Sequence, residues 1–314
     1  MIGNIWLKMP IYDEFCLNQI KALKDNENFL TLFSSGTIKL TQLQYMANEK
    51  IIDYMRECNL IRIENNIATT VFRLSIFEDL IIFSDPDVLD EHQDEYYVDP
   101  LWDKYLCKVI VRNPCLNALD MGGGSGIISL VMSRFSKRVV YADLNPRAIE
   151  MAKFNAAINS INNIEFYLSN LFENIPKIKY DLIVFNSPTD KEGNKYLRLL
   201  ETGEQILINF YKNVFTYLNK NGIVQTSMGI FDTNKNSFEK ISCWIGEKES
   251  IRYKKLYLIM KEELLFEKKT WRRMWVTICN SFGSSRSFKM EYNLLPDQLD
   301  GKVSSDFISN LLYL

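Results

Sequence analysis

The stretch Asn-Ala-Leu-Asp-Met-Gly-Gly-Gly-Ser-Gly-Ile-Ile, residues 117–128, brings an apolar run to an end at Asp120 and then sets four glycines within five positions. Glycine allows positive φ and lets a backbone approach a ligand closely. The spacing is Asp-x-Gly-x-Gly-x-Gly over Asp120, Gly122, Gly124 and Gly126. It is not the dinucleotide fingerprint, because the third glycine falls one residue early, and no Gly-Lys-Ser/Thr follows to make a phosphate loop. Asp120 repels a pyrophosphate and suits a cation. Three more polar residues close apolar runs: Asp143 after Arg-Val-Val-Tyr-Ala, Asn170 after Tyr-Leu-Ser, and Asn186 after Asp-Leu-Ile-Val-Phe. A carboxylate placed like Asp143 accepts from two ribose hydroxyls. Asn170 can meet an adenine amine, with Leu144 or Leu171 against the ring. A nucleoside that carries positive charge, such as S-adenosylmethionine, matches this set.

These residues need a scaffold that brings their ends together. From about residue 100 the pattern alternates. Residues 101–111 read as a helix, and the run into Asp120 as a buried strand. Residues 125–135 read as a helix, 138–143 as a strand and 145–159 as a helix. Residues 164–170 and 180–186 read as strands, 202–219 as a helix, and 222–228 as a strand. Strands alternating with helices imply a parallel sheet covered on both faces. Ligands in such sheets lie beyond the C-terminal strand ends, where the polar residues fall.

The first 95 residues read differently. Residues 11–34 have helical spacing, Thr41 caps a short helix through Met46, and a second helix runs from Asn48 to Cys58. Residues 60–74 read as strand, Asn-Asn turn, strand. Helices followed by a two-stranded wing make a winged-helix-like pattern. Its Glu49, Lys50, Asp53, Arg56 and Glu57 are mixed in charge. That favours docking, or a homodimer through this region, over DNA reading. An acidic linker follows from Ser84, and the lone His92 is read as a solvated residue within it.

Residues 97–230 resemble a class I S-adenosylmethionine-dependent methyltransferase. Ala118–Gly126, Ala142–Ala156 and Ser169–Pro188 together are similar to the small-domain group, which includes release-factor glutamine and ribosomal RNA guanine methyltransferases. The resemblance implies an α/β Rossmann-like sheet of seven strands, the last antiparallel. It implies S-adenosylmethionine held by Asp120, Gly122, Gly124, Gly126, Asp143, Leu144, Asn170, Leu171 and Asn186, with no metal. It also implies that the Asn186 side chain and the Ser187 carbonyl accept hydrogen bonds from the amine being methylated. The group has Asn-Pro-Pro and then an aromatic residue, whereas here the run is Asn186-Ser187-Pro188-Thr189. Thr189 cannot stack on a flat acceptor. For an oxygen nucleophile, Asp190, Asp99 and Tyr97 are candidate bases.

Composition narrows the setting. The 314 residues carry 37 Lys and Arg against 39 Asp and Glu, a balance that argues against nucleic acid or an anionic membrane. Six cysteines without a C-x-x-C pair, and one histidine, give no zinc spacing. Without a signal peptide or a long apolar run, the expectation is a soluble cytoplasmic protein. The expected C-terminal arrangement is a hairpin of residues 272–280 and 287–293 about Gly283-Ser284-Ser285, with clustered Lys and Arg on a solvated face. The expected organisation is a winged-helix-like accessory domain with linker over 1–95 and a methyltransferase domain over 96–314. The expected acceptor is a small molecule, such as a specialised metabolite of natural product biosynthesis, with Ser187, Pro188, Thr189 and Asp99 against it. The alternatives are a protein-glutamine or ribosomal RNA methyltransferase, and a regulator that binds S-adenosylmethionine without catalysis.

Overall fold

A computed structural model describes residues 12–23, 26, 29–30, 32–33, 36–85, 101–108, 110–187, 203–230, 252–262, 270–280 and 289–290. The chain begins with α1 (Glu14–Leu23), β1 (Thr37–Lys39), α2 (Leu40–Met46) and α3 (Glu49–Glu57). The strands β2 (Ile61–Glu64), β3 (Ile67–Thr70), β4 (Arg73–Phe77) and β5 (Leu80–Ser84) follow. Next come α4 (Leu101–Lys108), β6 (Cys115–Met121), α5 (Ile127–Met132), β7 (Ser136–Asp143), α6 (Pro146–Ile158), β8 (Ile164–Leu168) and β9 (Tyr180–Asn186). The rest comprises α7 (Gly203–Tyr217), β10 (Leu218–Ile230), β11 (Arg252–Glu262), β12 (Thr270–Asn280) and β13 (Lys289–Met290).

Local signals account for several of these elements. The Asn48 side chain accepts from the Ile51 amide and starts α3. Asn145 does the same for Arg147, with Pro146 at the first turn of α6. Asn65 and Asn66 both take positive φ and turn β2 back on β3. Thr41 does not cap α2. The cap position is Lys39, whose amide donates to the Gln42 side chain. Asparagine and glutamine supply an acceptor one turn away as readily as threonine does.

The main sheet is α/β, with strand order β13-β11-β12-β10-β9-β6-β7-β8. From β10 to β8 the pairing is parallel throughout. Alternate residues serve opposite faces. Ala118, Val139, Leu182 and Val184 pack with α4, α5 and α6. Leu119, Val140, Ile183 and Phe185 pack with α7. The sheet has eight strands among the described residues, not seven. The expected C-terminal hairpin is also corrected: β12 pairs antiparallel with β11 and with β10, while Lys289–Met290 lies parallel to β11. The basic, aromatic run at 252–262 forms β11, which lies between β12 and β13.

The N-terminal elements form a three-stranded sheet of order β1-β3-β2 and a separate pair, β4 with β5. Their core gathers Phe29, Leu32, Leu43, Ile52, Phe72 and Phe83. Helix α6 joins this core through Met151, Phe154 and Ile158, while its Ile149, Ala152 and Ala156 face the main sheet. A helix buried on several faces loses the single apolar stripe of a surface helix. Cys58 and Cys107 are buried and Cys115 is half-buried, each outside any disulfide among the described residues. Among the described residues no helix is long and apolar enough to cross a membrane. The expectations for His92, Tyr97, Asp99, Pro188, Thr189 and Asp190 lie outside the described residues.

Candidate functional site

The chain runs from β6 outward to β7 and β8, then returns to place β9 on the other side of β6. The reversal opens a crevice above the C-terminal ends of β6 and β9. Register brings the strand ends level. Asp120 pairs with Tyr141, Met121 with both Ala142 and Phe185, and Asp143 with Leu168.

The glycine loop crosses this crevice and is held at nearly every residue. The Gly122 amide donates to the Ala142 carbonyl at 2.7 Å, and the Gly123 amide donates to the same oxygen at 3.2 Å. The Gly124 amide donates to Asp143 Oδ2 at 2.9 Å, and its carbonyl accepts from the Tyr141 hydroxyl at 2.8 Å. The Ser125 carbonyl accepts from Asn155 Nδ2 at 2.9 Å. The glycines serve different ends. A Cβ on Gly123 would lie 2.3 Å from the Tyr141 ring, and one on Gly126 would lie 2.8 Å from Ala152 Cβ. Both positions are small because elements meet there. Gly124 takes φ +52°, and a Cβ there would meet only Asp103 Oδ2, at 3.7 Å. It is the glycine of the loop that borders open space.

Asp120 is fully buried beneath the loop, and its Oδ2 accepts from the Ser129 amide and hydroxyl. Its Oδ1 is buried and has no hydrogen-bond partner. Burial pushes its carboxyl up to about 7 against the Ser129 bonds, and the Asp143 charge adds to the rise. Asp143 is half-buried. Its Oδ1 accepts from the Asn145 amide, and burial raises its pKa as well. Asn170 donates to Glu173, and its Oδ1 is a second buried acceptor with no partner. Leu171 takes φ +49°, with its carbonyl held by the Ser169 hydroxyl. Leu144 and Leu171 are both half-buried beside these groups, and Ser187 is buried.

Asn186 does not stand alone at the end of β9. Its Nδ2 donates to Asp103 Oδ1 at 2.6 Å. Asp103, in the first turn of α4, is 6 % exposed and overhangs Gly124. In sequence it is one polar residue of an apolar-rich helix. Its position in the first turn of α4 is a weak signal. The arrangement presents a preformed loop, two orphan acceptors and an oriented amide. Orphan buried acceptors call for donors. An adenine amine and an ammonium are such donors, so these residues fit the cationic nucleoside expected from the sequence.

One family profile, described as methyltransferase small domain, matches residues 103–259, half of the chain. The chain is similar to a Methanocaldococcus jannaschii protein that carries the name protein N5-glutamine methyltransferase. The two are 34% identical over 146 residues, 43% of this chain and 73% of that protein. It is also similar to the release factor glutamine methyltransferase of Fusobacterium nucleatum, 45% identical over 75 residues, 23% of this chain and 21% of the relative. A third relative is the ribosomal protein L11 methyltransferase of Lactobacillus johnsonii, 33% identical over 108 residues, 34% of this chain and 29% of the relative. The chain thus spans most of the first relative and under a third of the other two.

Proposed function

The chain belongs to the methyltransferase small domain family, and from that premise we propose that it transfers a methyl group from S-adenosylmethionine to a glutamine side-chain nitrogen of a protein. The names of its relatives support a protein acceptor. They overturn the small-molecule acceptor expected from the sequence, together with its natural-product setting. Neither charge nor Thr189 excludes a protein. Near-neutral charge disfavours an anionic acceptor but is silent on a protein. Thr189 is one position, and its lack of an aromatic ring leaves the amide-accepting edge of Asn186 in place.

S-adenosylmethionine, when bound, supplies an electrophilic methyl carbon on a sulfonium with a neutral thioether as leaving group. The chain's own residues supply the rest. Asp120 Oδ1 suits the ammonium and Asn170 Oδ1 the adenine amine. The carboxylate oxygens of Asp143 keep lone pairs for two ribose hydroxyls while they hold Gly124 and Asn145. Leu144 and Leu171 suit the faces of the base. Gly122 and Gly124 let the loop backbone come close, and Gly126 starts α5 behind it.

The observation that carries the reading is the Asp103–Asn186 contact. A carboxylate only accepts, so Asp103 fixes Nδ2 on its own side and leaves Oδ1 as the amide's acceptor edge. That edge, with the Ser187 carbonyl, orients the N–H bonds of an incoming amide. Amide nitrogen is a poor nucleophile, so orientation matters most here; well-aligned approach contributes on the order of 7–11 kcal/mol.

The N-terminal 1–95 is read as a winged-helix-like accessory unit that docks the acceptor, and 96–314 as the methyltransferase domain. The element order and the β1-β3-β2 sheet support this reading. The test is incubation with methyl-tritiated S-adenosylmethionine and a purified release factor, followed by mass spectrometry. Label on a glutamine, lost in Asn186→Ala, is the expected result. Label recovered only on ribosomal protein L11 or on RNA would refute the glutamine acceptor. Absence of S-adenosylmethionine binding by calorimetry would refute the whole reading.

A further inference from the structure

Asn155, on α6, touches the glycine loop only from behind, yet its side chain is fully buried and every polar atom is used. Its Oδ1 accepts from the Phe83 amide at 2.9 Å, and its Nδ2 donates to the Phe83 carbonyl at 2.8 Å. One helical turn later Asn159 repeats the pattern on Ile81. Its Oδ1 accepts from the Ile81 amide at 2.9 Å, and its Nδ2 donates to the Ile81 carbonyl at 2.7 Å. The spacing explains the match. Four helical residues rise about 6 Å and two strand residues about 6.6 Å. Two asparagine amides thereby serve as a third strand beside β5, whose sheet partner among the described residues is β4.

The two asparagines differ in one bond. The remaining Nδ2 hydrogen of Asn159 goes to its own helix, on the Asn155 carbonyl. That of Asn155 goes to the Ser125 carbonyl in the glycine loop. Ser125 is fully buried, and its hydroxyl has no partner, so its side chain does not anchor the loop. Its neighbour Gly124 is the residue that borders the open crevice. Without Asn155 Nδ2, a buried carbonyl loses its donor, and the peptide between Ser125 and Gly126, next along the loop from Gly124, can rotate.

We propose that Asn155 is a positioning residue that braces the Ser125–Gly126 peptide of the glycine loop against strand β5, so that cofactor affinity depends on a strand of the N-terminal half. The inference rests on S-adenosylmethionine being the ligand of the loop. It extends beyond that reading because neither Asn155 nor β5 borders the ligand. The link is mechanical. Helix α6 and β5 are already joined by the packing of Phe83 on Phe154, with ring centroids 5.2 Å apart, and by Arg147 on Asp85. Asn155 extends that joint to the loop.

The test compares Asn155→Ala with Asn159→Ala, measuring S-adenosylmethionine affinity by calorimetry at 15 °C and thermal melting of each apo form. Each variant loses two bonds to β5, on Phe83 for Asn155 and on Ile81 for Asn159, so both melt lower. Only Asn155→Ala is expected to weaken binding, by about tenfold, as the loss of a buried hydrogen bond implies. Asn159→Ala should stay within about twofold of the starting protein. Unchanged affinity in a folded Asn155→Ala, or equal weakening in both variants, would overturn the proposal. If Asn155→Ala does not fold, hydrogen exchange on the unaltered protein decides. Added S-adenosylmethionine should slow exchange of the Phe83 amide, and no slowing overturns the proposal. No binding by the unaltered protein refutes the cofactor reading itself, a distinct result.

Discussion

Replacing Asp120 by asparagine should make the apo protein more stable in alkali and leave it nearly unchanged in acid. Asp120 is fully buried, and its carboxyl titrates near pH 7 rather than at 3.8. The folded value lies above the unfolded one. The stabilisation from the neutral carboxyl is therefore complete below about pH 4 and is lost as pH rises through about 7. A shift of roughly three units corresponds to about 4 kcal/mol over the full range, of which about 3 kcal/mol falls between pH 5 and pH 8. Asparagine keeps an oxygen for the Ser129 amide and hydroxyl and carries no charge. At pH 5 both side chains are neutral, and each leaves one polar group unpaired at the Oδ1 position, so they should melt alike. By pH 8 the variant should melt about 5 °C above the original protein. Asp143 and Asp85 also have raised pKa values and remain in both proteins, so the difference between the two melting curves isolates Asp120. S-adenosylmethionine should reverse the ranking, because its ammonium favours the ionised carboxylate. Its affinity for the original protein should rise from pH 6 to pH 8 and stay flat in the variant. Thermal melts of both apo proteins from pH 5 to pH 9 supply the measurement. A difference that stays constant across that range would refute the argument.

Two further outcomes follow from the geometry. Gly123→Ala should cost about 1–3 kcal/mol of stability from the clash with Tyr141, whereas Gly124→Ala should cost about 1–2 kcal/mol from its positive φ; equal losses of stability with equal losses of S-adenosylmethionine affinity would contradict the division of roles. Arg147→Ala leaves Asp85 buried without its cation and should cost about 3–5 kcal/mol at pH 8, less at pH 5 because the Asp85 carboxyl already titrates near 6; urea unfolding at the two pH values checks this.

Strand and helix order from residue 101 to 230 was legible because the signals are local. Apolar periodicity sets which residues face a core, and Asn48, Asn65-Asn66 and Asn145-Pro146 mark starts and turns within a few residues. The same local reasoning placed Asp120, Asp143, Asn170 and Asn186 at strand ends. It failed at the C-terminal hairpin, where the pairing of β11 with β12 depends on which of several alternating runs meet. It also read Ser84 and Asp85 as the start of a solvated linker. Both are buried, and Asp85 is held by Arg147 across 62 residues of sequence.

Composition and spacing by themselves determined a parallel sheet, a cation-suited glycine loop and the level at which ligands meet the strands. Tertiary structure alone decided which polar residues join that site. Asp103 and Asn186 lie 83 residues apart, and Asn155 is 72 residues from Phe83. In sequence each is one polar residue on a helix or at a strand end, indistinguishable from a solvated one. Only the strand order, which sets β9 beside β6 and lays α6 along β5, brings their partners within hydrogen-bond reach. Once buried there, each must be paired, because an unpaired polar group costs more than the bond is worth.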